Sequence, residues 1–165
     1  MKPERKPTGR FVGNDLHITR TFRAPIEDVW QSVTSSESTA RWIGPWKWAG
    51  PVGPGNAIVL TMVFEEGSPD SNAVVDTCEP PRRLAVTTQY DGGGWSLEIL
   101  LAQDGDITTM DFVHHLTDRK LAQHAGPGWE YYLDMLVASR DGLPLPTFDE
   151  YYPAQQQYFL DLAGE

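Results

Sequence analysis

Thiols are nearly missing from this chain, which holds one cysteine, Cys78, in 165 residues. An internal disulfide is therefore impossible, and a metal site built on several thiolates is excluded. Long hydrophobic runs are missing too. No stretch approaches the roughly 20 apolar residues that span a bilayer. The opening "MKPERKPTGR" carries positive charge with no apolar stretch behind it, so no secretory signal is expected. Positive charge is scarce: 13 Lys and Arg stand against 23 Asp and Glu, a formal net charge of −10. Such a balance repels nucleic-acid phosphates and anionic lipid surfaces. Neither nucleic acid nor membrane is an expected partner, and the cytoplasm is the expected compartment.

Signatures of familiar chemistry are missing as well. "DGGGW" lacks the GxxxxGK[ST] pattern of a phosphate loop and reads as a hairpin turn. HExxH, CxxC and GxSxG do not occur. His114 and His115 are neighbours on a β-prone run, so they point to opposite faces and chelate one metal poorly together. These residues imply no cofactor and no metal.

What is present suits one domain with a real core, since 40% of the residues are hydrophobic. Residues 1–14 are polar, hold two prolines and two glycines, and read as a flexible arm. "LHITRTF" (16–22) reads as a strand. In "APIEDVWQSV", Pro25 suits a first helical turn, and Ile26, Val29, Trp30 and Val33 fall on one helical face. "SSESTARW" adds a second short helix that Gly44-Pro45 ends. From 46 to 116, short β-prone runs alternate with turn signals such as "EEGSPDS" and "EPPR", which predicts a meander of about six antiparallel strands. Trp129, Tyr132, Leu133, Leu136 and Val137 then keep helical spacing, predicting a helix from about 127 to 140. Gly126-Pro127-Gly128 would set the angle at which it starts. The tail adds a short helix around 154–162. The plan is thus an arm (1–14), a domain (15–141) and a C-terminal extension (142–165) packed on it. The fold class is α+β: two short helices after the first strand, then a curved antiparallel sheet wrapped around one long helix.

Two segments carry a family resemblance: "ITRTFRAPIEDVWQSVTSSESTARWIGP" (18–45) and "GPGWEYYLDMLVAS" (126–139). They resemble the START-like superfamily with its helix-grip fold, and within it the bacterial branch named for the activator of the Hsp90 ATPase. The resemblance implies an internal cavity between sheet and helix. Relatives bind lipids, plant hormones or polyketides there, and a few catalyse cyclisation or hydrolysis. The eukaryotic co-chaperone engages Hsp90 through an additional N-terminal domain. Residues 1–17 are too short to stand in for it, so the cavity is the stronger implication. Relatives often dimerise, and Tyr151, Tyr152 and Phe159 would serve a homodimer or cap the core.

Strand alternation says which side chains could line such a cavity. Trp95, Leu97, Ile99 and Leu101 share one side of their run, and Met110, Phe112, His114 and Leu116 form an apolar row. "WIGPWKW" crowds Trp42, Trp46 and Trp48 into seven residues, either a hydrophobic plug or a rim of rings for a ligand. The candidate lining is Trp30, Trp42, Trp46, Met62, Trp95 and Phe112, with His114, Trp129, Tyr132 and Leu136. Tyr132 and His114 are its polar members. Helical spacing puts Glu130 and Asp134 on the solvated side and turns Tyr131 outward. The leading expectation is a binder of a hydrophobic, aromatic or lipid-like small molecule. The alternatives are a cyclase- or hydrolase-type enzyme that fails on His114→Ala or Tyr132→Phe, and a co-chaperone or other protein-interaction role.

Overall fold

The computed structural model describes residues 5–90 and 93–165. The first four residues of the expected arm and the Asp91-Gly92 part of the expected hairpin turn lie outside them. Eight strands form one antiparallel sheet: β1 (Arg10–Val12), β2 (Asp15–Phe22), β3 (Trp46–Trp48), β4 (Ala57–Thr61), β5 (Asp70–Glu79), β6 (Arg83–Tyr90), β7 (Gly93–Asp104) and β8 (Ile107–His115). Their order is β1-β2-β8-β7-β6-β5-β4-β3. The six strands from β3 to β8 meander as the turn signals predict, because each connection is too short for anything but an antiparallel neighbour. Helices α1 (Ile26–Thr34) and α2 (Ser36–Thr39) carry the chain from β2 across to the far edge at β3. Gly44 ends that crossing. Its φ is +151°, and a side chain there would run into the Thr61 carbonyl.

The long helix α3 (Ala122–Asp141) lies in the curve of the sheet, and α4 (Gln156–Ala163) packs beside it. Alternation puts Leu16, Ile18 and Phe22 of β2 on the concave face with Leu97, Leu101, Met110 and Phe112. These pack with Leu133, Met135 and Leu136 of α3 in one core. β2 and β8 fix the row by register, pairing Leu16 with His114 and Ile18 with Phe112.

Two expectations need correcting. First, α3 starts at Ala122, so Gly126-Pro127-Gly128 lies inside the helix and does not precede it. Proline forgoes one helical hydrogen bond, but Ala122, Ala125, Gly126 and Pro127 are all buried, and tertiary packing outweighs local propensity. Gly126 serves closeness here: an added Cβ would sit 2.7 Å from the Phe159 ring of α4. Second, the expected flexible arm is tied down over its described part. Arg10–Val12 pairs with β2, and a buried carboxylate described below holds Thr8 and Gly9.

Candidate functional site: a cavity between the long helix and the sheet

Among the strands, α3 approaches β2 most closely and stands off from β4 to β7. The space left over is a cavity of about 480 Å³. Ile58 and Leu60 of β4, Ala73 of β5, Leu84 and Val86 of β6, and Leu97 and Ile99 of β7 form its sheet wall. Trp129, Tyr132 and Leu133 of α3 face them, and Trp42 and Ile43 close one end. The wall is overwhelmingly apolar because each strand sends its alternate hydrophobic residues inward.

Aromatic rings gather at the β7–β8 side. Trp129 lies 4.7 Å from Phe112 and 5.8 Å from Trp95, centroid to centroid, and Trp95 lies 4.9 Å from the His114 ring. His114 is 1% exposed. The Trp129 indole N–H donates to His114 Nδ1 at 3.1 Å, which leaves the ring proton of the neutral imidazole on Nε2. Burial, then the neighbouring His115, pushes the His114 pKa down to about 4. His114 is therefore a neutral, structural ring at physiological pH.

The cavity's chief polar feature is a pair. The Tyr132 hydroxyl donates to Glu65 Oε2 at 2.7 Å, joining α3 to the loop after β4. Burial and the Glu65 carboxylate both raise the Tyr132 pKa, so the phenol keeps its proton. A second, outer chamber of about 390 Å³ adjoins the first. Met62, Glu65, Trp95, Trp129 and Tyr132 belong to both walls, so the Tyr132–Glu65 bond lies where the chambers meet. Phe148, His124 and Glu66 rim the outer chamber and are exposed.

Of the ten predicted lining residues, Trp42, Met62, Trp95, Phe112, Trp129 and Tyr132 come together on the inner wall. Four do not. His114 lies behind Trp95 and Trp129. Leu136 is wholly buried in the core. Trp30 packs against the core from α1, half-buried. Trp46 donates its indole N–H to the Thr34 carbonyl at 2.8 Å and meets Trp48 edge-on at the sheet's rim. Sequence reasoning missed Glu65, which stands in the run "EEGSPDS" and reads there only as a turn.

The other flank of α3 reverses the solvation expected for it. Glu130 is 1% exposed and accepts from the Thr8 and Gly9 amides, the Thr8 hydroxyl and Arg20. Arg20 also donates to Asp134 at 3.0 Å, and Asp134 accepts from the Tyr151 hydroxyl at 2.8 Å. Burial opposes the Arg20 charge, but Asp134 and Glu130 outweigh it and raise its pKa. Tyr131, expected to point outward, is buried against Tyr151 and Phe148. The cause is the C-terminal extension, which covers a helix face that would otherwise meet water. Tyr151 and Phe159 are fully buried within the chain, so they cap the core and are not free for a dimer contact.

Residues 23–139 match the model of the family described as "Activator of Hsp90 ATPase homolog 1-like protein". The chain belongs to that family, whose fold is the helix-grip arrangement described above. The chain is similar to the crystal structure of CalU16 from Micromonospora echinospora, at 25% identity over all of both chains with a TM-score of 0.77. It is also similar to the protein encoded by gene BPP1335 from Bordetella parapertussis, at 23% identity over 97% of this chain and 94% of that one, TM-score 0.75. DynU16, encoded in the dynemicin biosynthetic locus, shares 20% identity over 86% of this chain and 51% of its own, TM-score 0.68. No curated protein sequence matches significantly. No helix among the described residues is long and apolar enough to cross a membrane.

Proposed function

We propose that this protein binds a hydrophobic small molecule, aromatic or lipid-like, in the cavity between α3 and β4 to β7. The observation that carries this reading is the cavity itself: about 480 Å³, walled by aliphatic and indole side chains, with one hydroxyl–carboxylate pair at its edge. Ligand sites commonly enclose about 300–1,000 Å³ with an apolar wall and few oriented polar groups. Trp42, Met62, Trp95, Phe112, Trp129 and Tyr132 are the contacts assigned to the ligand. Burial of its apolar surface supplies about 25 cal/mol per Å². The geometry argues against His114 as a catalytic base. A general base must reach its substrate, and His114 has Nδ1 engaged by Trp129 and no place on the wall. An exposed, unpaired Cys78 suits the reducing cytoplasm.

The test is a cavity-filling variant. Val86→Phe would put a ring into the space that Val86 now lines. Purified wild-type protein should take up a neutral, apolar fluorophore and carry a ligand mass in native mass spectra that denaturation removes. The variant should keep its circular dichroism and lose both. Equal uptake by the two proteins would sink the proposal.

A further inference from the structure

Charge distinguishes the two chambers from a general apolar hole. Among the described residues, no lysine or arginine lines either one. The carboxylates and imidazoles on the walls are Glu65, Glu66, Glu98 and His124. Glu98 is committed elsewhere, accepting from Arg83 at 2.9 Å and engaging His115 at 2.7 Å. His124 Nδ1 lies 3.2 Å from the Tyr152 hydroxyl. Glu65 remains. It gives Oε2 to Tyr132, and no side chain of the described residues donates to Oε1. Its position is specific too, on the wall common to both chambers, with Trp95, Trp129 and Tyr132 around it.

We infer that the cavity selects hydrophobic amines, with Glu65 receiving the ammonium group and the inner chamber receiving the apolar body. The inference rests on the binding function proposed above and specifies its ligand. An ammonium beside a carboxylate makes a charge-assisted hydrogen bond, and Trp95, Trp129 and Tyr132 on the same wall are side chains of the type that attracts cations. A carboxylate ligand of the same shape would bring its charge against Glu65 and Glu66, on a protein of net charge −10. That repulsion excludes fatty acids and similar anions. Glu65 is exposed, so the ammonium keeps part of its hydration while the body leaves water.

Three probes with one ring system isolate the charge: 2-naphthylmethylamine, 2-naphthylmethanol and 2-naphthoate. Each would be titrated by tryptophan fluorescence, with calorimetry as a check, into wild type and Glu65→Gln. The amine should bind about tenfold more tightly than the alcohol, and the naphthoate more weakly than both. Glu65→Gln should abolish the amine's advantage over the alcohol, because it removes the charge that separates the two probes. Added salt should narrow the wild-type gap. Naphthoate binding as tightly as the amine, or an amine preference that survives Glu65→Gln, overturns the inference. If the neutral fluorophore binds and the probes show no order of charge, the inference falls and the cavity function stands. If neither fluorophore nor probes bind, both fall.

Discussion

Along β2 and the Met110 end of β8 the concave face of the sheet is packed solid, while along β4 to β7 it stands away from α3 and leaves room. Leu16, Ile18 and Met110 on the packed side have no exposed surface. Ile58, Leu60, Val86 and Ile99 on the open side are only half-buried. Both halves follow the same alternation, so patterning alone does not separate them. What differs is how polarity is handled. The packed half buries an ionic cluster in which Arg20 meets Glu130 and Asp134. The open half holds Glu65, a carboxylate with a single phenolic donor and one face toward solvent. The first arrangement is costly to break and fixes the chain. The second is inexpensive to rearrange, as a ligand contact has to be.

The largest effect is expected on the packed side. Glu130→Ala leaves Arg20 with Asp134 as its remaining carboxylate and releases the Thr8 and Gly9 amides, so urea unfolding should show a loss of about 3 kcal/mol. Fluorophore affinity of the molecules still folded should stay close to wild type. A loss below about 1 kcal/mol would erase the contrast between the halves.

His114 stands at their boundary, opposite Leu16 on one side and Leu97 on the other. Its pKa of about 4 lies below the ordinary 6.5. Between those values the unfolded chain binds the proton and the folded one refuses it, so stability falls as pH drops from 6.5 towards 4. The full loss is about 3 kcal/mol. Wild type measured against His114→Gln across that window checks it; parallel curves would mean that the ring titrates normally.

The smallest effect belongs to the open side. Tyr132→Phe removes a hydrogen bond to an exposed partner and should cost about 1 kcal/mol or less. A midpoint shift several times larger would make the Tyr132–Glu65 pair a structural tie like Glu130 and not a feature of a ligand site.

Strand parity carried much of this into view. The even-numbered row Met110, Phe112, His114 and the odd-numbered row Trp95, Leu97, Ile99 both face inward as alternation predicts. The same parity puts Arg20 on the inward row of β2, and an inward arginine requires buried carboxylates. Glu130 and Asp134, one helical turn apart, were its available partners. Helical periodicity hid them, because it assumes one apolar face, while α3 is enclosed by the sheet on one flank and the C-terminal extension on the other. Glu65 was hidden differently: a carboxylate in a turn reads as solvated until the helix that meets it is known. Trp46 and Leu136 fit the apolar pattern of a lining equally well, and only the stand-off of α3 from β4 to β7 separates lining from core.

The two ends of the described chain are buttoned to each other. Arg5 meets Glu150 and Gln155, the Tyr158 hydroxyl donates to the Gly9 carbonyl at 2.8 Å, and the Phe159 ring fills the hollow that Gly9 and Gly126 leave. In effect the polypeptide is a ring with a seam. Fraying of residues 5–9 and fraying of α4 are therefore coupled, because each segment holds the other down.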